Sequence, residues 1–115
     1  MFGNCKALVT APSFDTSNAT NVSEMFRENY ALTTVPVYDT GKVTNFSNMF
    51  YDCRALSTQS MDNILQMCIG ATSYTGTKTL YQIGFRQDRE PVATVQALTH
   101  YSDFIAAGWT IGYTA

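Results

Sequence analysis

The chain has 115 residues, a formal net charge of -2 and a hydrophobic fraction of 45%. This length suits one packed domain, and its seven Lys and Arg residues are too few and too scattered to form a stripe that binds nucleic acid. No stretch approaches the roughly twenty apolar residues that a membrane-spanning helix needs. We therefore expect no nucleic-acid partner and no membrane insertion.

An internal repeat organises the first half of the chain. Met-Phe pairs begin at positions 1, 25 and 49, and such an equal spacing is typical of repeat arrays. Residues 1–24 and 25–48 are identical at 11 positions without a gap, and a third copy follows the pattern as far as Leu56. We predict a single domain with leucine-rich-repeat-like repeats at 1–57 and a diverged C-terminal repeat and capping unit at 58–115.

Each repeat is predicted to form a short helix followed by a short strand. Asn21 and Asn45 are suitable N-caps, and apolar residues at i, i+3 and i+4 follow each of them. These apolar residues are Val22, Met25 and Phe26 in one helix and Phe46, Met49 and Phe50 in the next. Extended segments at 8–11 and 32–35 come next, and Pro12 and Pro36 close them because proline suits the end of a strand.

Stacking of the copies follows from this pattern, because one helix and one strand cannot bury their own apolar faces. We predict an α/β solenoid, a leucine-rich-repeat-like right-handed superhelix of 24-residue helix-strand repeats with a diverged C-terminal cap. Met1 would lie in the middle of a helix, which leaves the apolar end of the first repeat uncovered. We expect earlier repeats in a longer parent protein, homo-oligomerisation, or packing of this end on another domain.

The C-terminal unit is predicted to contain three helices and two strands. The first helix has Ser60 as its N-cap and ends at Gly70, and a strand at 79–85 follows it. A second helix opens at Pro91, and a third begins at Ser102 and ends at residue 107. The last strand has Trp109, Ile111 and Tyr113 as its alternating residues.

The motifs of residues 1–56 are MFxxCxxL, a proline, FDTSN or YDTGK, and VTNFSNMF. This pattern resembles the BspA-like leucine-rich repeat family of bacterial surface proteins, whose repeats also occur in phage and prophage tail proteins. The resemblance implies an extracellular, cell-surface or virion location and adhesion to a host-surface glycan or protein. Cys5 and Cys53 occupy the cysteine position of the motif, whereas Asn29 stands there in the middle copy.

We predict a non-enzymatic adhesion or receptor-recognition module that binds through the exposed positions of its sheet. These ligand-binding positions are Val9, Thr10, Ser13, Thr33, Thr34, Val37 and Ser57. The alternative is a structural spacer or a self-assembling fibre element with no ligand of its own. We expect no enzyme and no cofactor, because the sequence has no acid-base pair, metal cluster or phosphate loop.

Two pairs of chemically active side chains recur with the repeat. Asp15 and Asp39 are predicted to form Asx turns, with a calcium site as the alternative. Cys5 and Cys53 lie two repeats apart, beyond disulfide reach, and are predicted to be buried thiols.

His100, Ser102 and Asp103 are the residue types of a hydrolytic triad. Because they lie within four consecutive residues, their side chains cannot form the relay from nucleophile to base to orienting carboxylate. Ser102 is predicted to cap a helix instead.

Overall fold

The computed structural model describes residues 7–13, 15–84 and 95–111. Helix α1 spans Thr58–Gly70 and helix α2 spans Tyr101–Ala106. Most of the remaining described backbone forms turns and extended segments. Three isolated parallel bridges join such segments, and they pair Thr10 with Thr34, Asn21 with Asn45, and Thr79 with Thr110.

The copies of the repeat lie beside one another in the register that the sequence indicates. The N–H of Thr33 donates to the carbonyl of Val9 at 2.8 Å, and the N–H of Ser57 donates to the carbonyl of Thr33 at 3.0 Å. Equivalent positions of successive copies are therefore neighbours. The threonine hydroxyls contribute too, because Thr44 donates to the carbonyl of Thr20 at 3.1 Å.

The helices predicted within the repeats are wrong, because residues 22–29 form a series of tight turns. The N–H groups of Met25, Arg27 and Asn29 each donate to the carbonyl three residues earlier, at 3.2 to 3.3 Å. Asn21 does accept the N–H of Ser23 at 2.9 Å, as an N-cap would. A series of turns, rather than a helix, follows this cap.

The N–H groups between those turns bind the next copy. Those of Glu24, Phe26 and Glu28 donate to carbonyls of that copy at 2.9, 2.9 and 2.6 Å. Glu24 and Glu28 have φ angles of 58° and 60°, and the equivalent Asn48 and Asp52 have 56° and 61°. These left-handed residues interrupt any helix and point alternate N–H donors away from their own segment. The backbones of neighbouring copies therefore pair with each other and do not form helices.

The predicted α/β solenoid of helix-strand repeats is therefore wrong, and so is the leucine-rich-repeat-like superhelix. Within the described residues there is no strand longer than a single bridge, and α1 and α2 both lie in the C-terminal half. The molecule measures 35 × 32 × 27 Å along its principal axes. These similar extents describe a compact globule.

The apolar stripes predicted for the repeats are buried as expected, although turns carry them. They comprise Val22, Met25, Phe26, Phe46, Met49 and Phe50, each at most 7% exposed. The ring of Phe26 stacks with those of Tyr38 and Phe50, whose centroids are 5.9 and 5.7 Å away. Successive turns that bond three residues apart bring residues i and i+3 to one side, much as a helix does.

Helix α1 covers one side of the second repeat. Ser57 caps it, since its hydroxyl accepts the N–H of Ser60 at 3.1 Å, so the helix begins one turn before the predicted start. Its end at Gly70 is confirmed. The hydroxyl of Ser60 donates to the carbonyl of Thr33 at 2.8 Å and accepts the N–H of Val35 at 2.9 Å. A side chain of α1 thus takes the hydrogen bonds of the second repeat's backbone that a third complete copy would otherwise take.

The strand predicted at 79–85 is a run of turns over residues 80–84, and Phe85 lies outside the described residues. These turns replace a fourth copy of the repeat, because the N–H of Phe50 donates to the carbonyl of Ile83 at 2.9 Å. Gly84 has a φ of 92°, and a Cβ atom there would overlap the backbone nitrogen of Tyr51. Only glycine allows this close approach of two backbones.

The C-terminal segment returns to the core through its aromatic residue. Trp109 is 1% exposed, stacks on Tyr74 at 5.3 Å and meets Phe46 edge-on at 6.1 Å. The predicted final strand is reduced to the bridge at Thr110, and Tyr113 lies outside the described residues, as does the helix start at Pro91.

Candidate functional site

The predicted binding positions form one exposed surface along the repeats. Val9, Thr33 and Ser57 are hydrogen-bonded in a row through their backbones, and Thr10 lies beside Thr34 in a parallel bridge. Val9 is 51% exposed, and the side chains of Thr10, Thr34 and Ser57 are exposed as well, whereas Thr33 is half-buried. We call this row, together with Ser13 and Val37, the variable face.

Ser13 and Val37 lie at one end of the variable face and line a hollow of 130 Å³. Its other lining residues are Asp15, Thr16, Pro36, Tyr38 and Asp39. The side chain of Val37 is 49% exposed. The hollow therefore combines hydroxyl and carboxylate acceptors with an apolar wall, a combination that suits small polar ligands with some apolar surface.

The two aspartates of the hollow form the predicted Asx turns. Asp15 accepts the N–H of Ser17 at 2.9 Å, and Asp39 accepts the N–H of Gly41 at 3.0 Å. Hydrogen bonds from the hydroxyl and the N–H of Ser17 hold the pKa of the Asp15 carboxyl below its usual range. Both carboxylates are thus fixed by their own turns.

The threonines that follow these aspartates fasten each copy to the next layer. The hydroxyl of Thr16 donates to the carbonyl of Asp39 at 2.8 Å, and that of Thr40 donates to the carbonyl of Met67 in α1 at 2.6 Å. Tyr38 donates across the copies to the carbonyl of Pro12 at 2.6 Å, and burial raises its pKa to about 12. Two of these donors, Thr16 and Tyr38, line the hollow and are thus held by bonds to the neighbouring copy.

The described cysteines are buried. The thiol of Cys53 donates to the carbonyl of Phe26 at 3.1 Å, which agrees with the predicted buried thiol. Burial raises the pKa of the Cys68 thiol far above its ordinary value. Cys5 lies outside the described residues. Both described cysteines are buried, whereas a reactive thiol needs to be exposed.

A second polar cluster joins α1 to α2, and sequence reasoning missed it. Asp62 accepts the backbone N–H of His100 at 2.8 Å and lies 2.7 Å from its Nδ1 atom. The Asp62 side chain is 9% exposed and that of His100 is 34% exposed. The one signal in the sequence is that Asp62 is the single charged residue of α1.

This cluster borders an open cavity of 530 Å³ between the two helices. The lining residues are Gln66, Ile69, Gly70, His100, Asp103, Ala106 and Ala107. Within the described chain His100 pairs with Asp62, not with Asp103, and Ser102 lies exposed within α2. The prediction of Ser102 as the N-cap is wrong, because His100 holds that position.

Two further features are absent from the described part of the chain. No group of three or more His, Cys, Asp or Glu side chains there is arranged to hold a metal ion. No helix within the same residues has the length and apolar character needed to cross a membrane.

The sequence of residues 1–82 matches the family described as "Mycoplasma protein of unknown function, DUF285". This match covers most of the 115 residues, so the chain belongs to this family. Searches of curated proteins and of solved structures found no match.

Proposed function

We propose that the chain is a non-enzymatic adhesion or receptor-recognition module of an extracellular bacterial surface or phage tail protein. The observation that carries the proposal is the variable face, where positions that differ between copies are brought into one exposed row. Val9, Thr33 and Ser57 occupy the same place in successive copies. An array that keeps its framework and varies one exposed row can change its ligand without changing its fold.

The chemistry of the surface suits a neutral partner, such as a host-surface glycan or the uncharged surface of a protein. Hydroxyl groups dominate the variable face, and Asp15 and Asp39 add carboxylate acceptors at its end. Fixed acceptors beside an apolar wall match the hydroxyl groups and C–H surfaces of a saccharide. The resemblance of residues 1–56 to BspA-like surface repeats favours the same assignment.

A structural spacer without a ligand is the second candidate. It is supported by the small size of the exposed side chains, because the variable face has no aromatic anchor of the kind that dominates tight interfaces. In this function the paired backbones and the threonine hydrogen bonds would only hold the spacer extended and rigid.

The test is a screen of the full chain against an array of glycans and host-surface proteins. We expect binding that is lost in Val37→Lys, because a cation on a long side chain would then stand at the mouth of the hollow. Ile105→Lys is the matched control, since Ile105 is 42% exposed on α2, close to the 49% of Val37. This variant should bind like the unaltered chain.

An array without any bound partner would contradict the adhesion module and leave the spacer. Equal loss of binding in both variants would show that a ligand exists but that the variable face does not hold it. Thermal unfolding of each variant, followed by circular dichroism, separates lost binding from lost folding.

A further inference from the structure

The first repeat has an edge that faces away from the second repeat and carries unused backbone groups. We call it the outer edge. Its donors and acceptors without a hydrogen-bond partner in the described chain are on Val9, Thr10, Thr20, Asn21, Ser23 and Met25. The donors are the N–H groups of the first four residues, and the acceptors are the carbonyls of Thr10, Asn21, Ser23 and Met25.

The second repeat shows what such an edge binds. Its equivalent donors, the N–H groups of residues 33, 34, 44 and 45, donate to the carbonyls of Val9 and Thr20 at 2.8 to 3.3 Å. The carbonyls equivalent to those of the outer edge, 24 residues later, are on residues 34, 45, 47 and 49, and they accept the N–H groups of residues 11, 22, 24 and 26 at 2.8 to 2.9 Å. Every unused group of the outer edge thus has a counterpart that already holds a neighbouring copy.

The side chains at the outer edge leave a matching space. Ala19, Val22 and Met25 line a hollow of 220 Å³ there. Val22 and Met25 are 7% and 3% exposed, and their equivalents 24 residues later, Phe46 and Met49, are both 1% exposed. Ala19 is half-buried, whereas its equivalent Val43 is fully buried. The hollow has the position that the side chains of one more copy would fill, and burial of the small apolar surface that is still exposed there would add to the backbone bonds.

A second molecule of this chain cannot supply that copy if it folds as here. The first repeat binds the second through the carbonyl of Val9 and the N–H of Ala11. A segment that binds the outer edge must offer the same two groups, which in the second repeat are the carbonyl of Thr33 and the N–H of Val35. Both are taken, because Ser57 and Ser60 donate to the Thr33 carbonyl and the Val35 N–H donates to Ser60. The N–H groups of Asn48 and Phe50 are likewise bound to residues 82 and 83.

We propose that the outer edge is a docking surface for one further segment of the same repeat pattern and length. In this segment the groups equivalent to the Val9 carbonyl and the Ala11 N–H are free to bind. The segment pairs with Val9, Thr10, Thr20 and Asn21 in the register by which the first repeat binds the second. This inference concerns assembly and does not depend on the ligand of the variable face.

Hydrogen exchange on a fusion tests the proposal. Residues 25–48 are placed directly before Met1 of the full chain, which continues the repeat spacing, and a control fusion carries the same segment in scrambled order. We expect the amide hydrogens of residues 9, 10, 20 and 21 to exchange about tenfold or more slowly in the first fusion than in the control. The amides of residues 33, 34, 44 and 45 report in both that the repeats are folded.

Equal exchange at residues 9, 10, 20 and 21 in the two fusions, with residues 33, 34, 44 and 45 still protected, would overturn the proposal. Ala19→Asp adds a second check, because it places a carboxylate in the hollow that the added segment would fill. In the fusion it should restore fast exchange at the four outer amides. In the unfused chain it should leave the protection of residues 33, 34, 44 and 45 unchanged, and slow outer amides in the altered fusion would contradict docking.

Discussion

The repeats and the C-terminal half use the same kind of sequence pattern to build different structures. Val22, Met25 and Phe26 have the i, i+3, i+4 spacing of apolar residues, and so do Met61, Ile64 and Leu65. The first set lies on consecutive turns and the second on α1. Both sets are buried, so the spacing identifies the buried side of the chain without identifying the secondary structure.

The difference lies in where alternate backbone N–H groups find their partners. In an α-helix such as α1 the donors after the first turn bond within the helix, whereas in residues 22–29 every second donor bonds to the neighbouring copy. Left-handed residues at Glu24 and Glu28 make this exchange possible. A repeat supplies partners at fixed positions, and those partners outweigh the helical preference of a short segment, which is weak without tertiary packing.

The largest effect is expected at the contact between the two halves, in Gly84→Ala. The added Cβ would overlap the backbone of Tyr51, with 2.7 Å to its Cα atom, at a residue with a φ of 92°. We expect the free energy of unfolding, measured by urea titration, to fall by about 3 kcal/mol or more. Gly108→Ala is the control, since Gly108 has a similar φ of 94° but no backbone nearby, and it should cost about 1 kcal/mol. Equal costs would mean that the close approach at Tyr51 does not exist.

A smaller effect is expected when single hydrogen bonds are removed. Loss of a bond between a repeat and α1 should lower the free energy of unfolding more than loss of a bond between two repeats. Thr40→Val leaves the buried carbonyl of Met67 without its donor, and we expect a loss of about 1–2 kcal/mol in the free energy of unfolding. Thr16→Val removes the partly buried bond to Asp39 and should cost less. Thr44→Val, at an exposed bond, serves as the control and should change stability least. The reverse order, measured by urea titration, would argue against α1 as the cover of the second repeat.

The smallest effect is expected from substitution by glycine, which should change the free energy of unfolding in opposite directions in the two halves. Glu24→Gly should raise the free energy of unfolding by about 0.5–1 kcal/mol, because glycine adopts a φ near 58° without strain. Gln59→Gly, at an exposed position of α1, should lower it by about 1 kcal/mol because glycine disfavours helix. Chemical unfolding of both variants measures the two signs. A loss of stability in Glu24→Gly would support a helix at residues 22–29 instead.

Local chemistry and the repeat spacing could be predicted from the sequence. The register between the copies, the Asx turns of Asp15 and Asp39, the burial of Cys53 and the end of α1 at Gly70 are all found. Each depends on residues close in sequence or on translation by one repeat. The positions of the variable face were predicted in the same way, and their role as a binding surface stays a prediction.

What the sequence could not reveal depends on partners far along the chain. The left-handed residues of the turns are ordinary Glu, Asn and Asp, with no glycine to mark them. The cluster of Asp62 and His100 joins two distant positions of the chain, and neither residue belongs to the repeat. The place of Ser60 before an apolar face predicts a helix cap, whereas its hydroxyl binds the backbone of the second repeat.

The single tryptophan of the chain makes the junction of the two halves visible to spectroscopy. Trp109 comes from the C-terminal half, and its indole ring meets Phe46 of the repeats and stacks on Tyr74 and Phe104. Its fluorescence emission therefore reports the moment at which the halves separate. A red shift of this emission at a lower urea concentration than the loss of circular dichroism would reveal a partly opened form with both halves still structured.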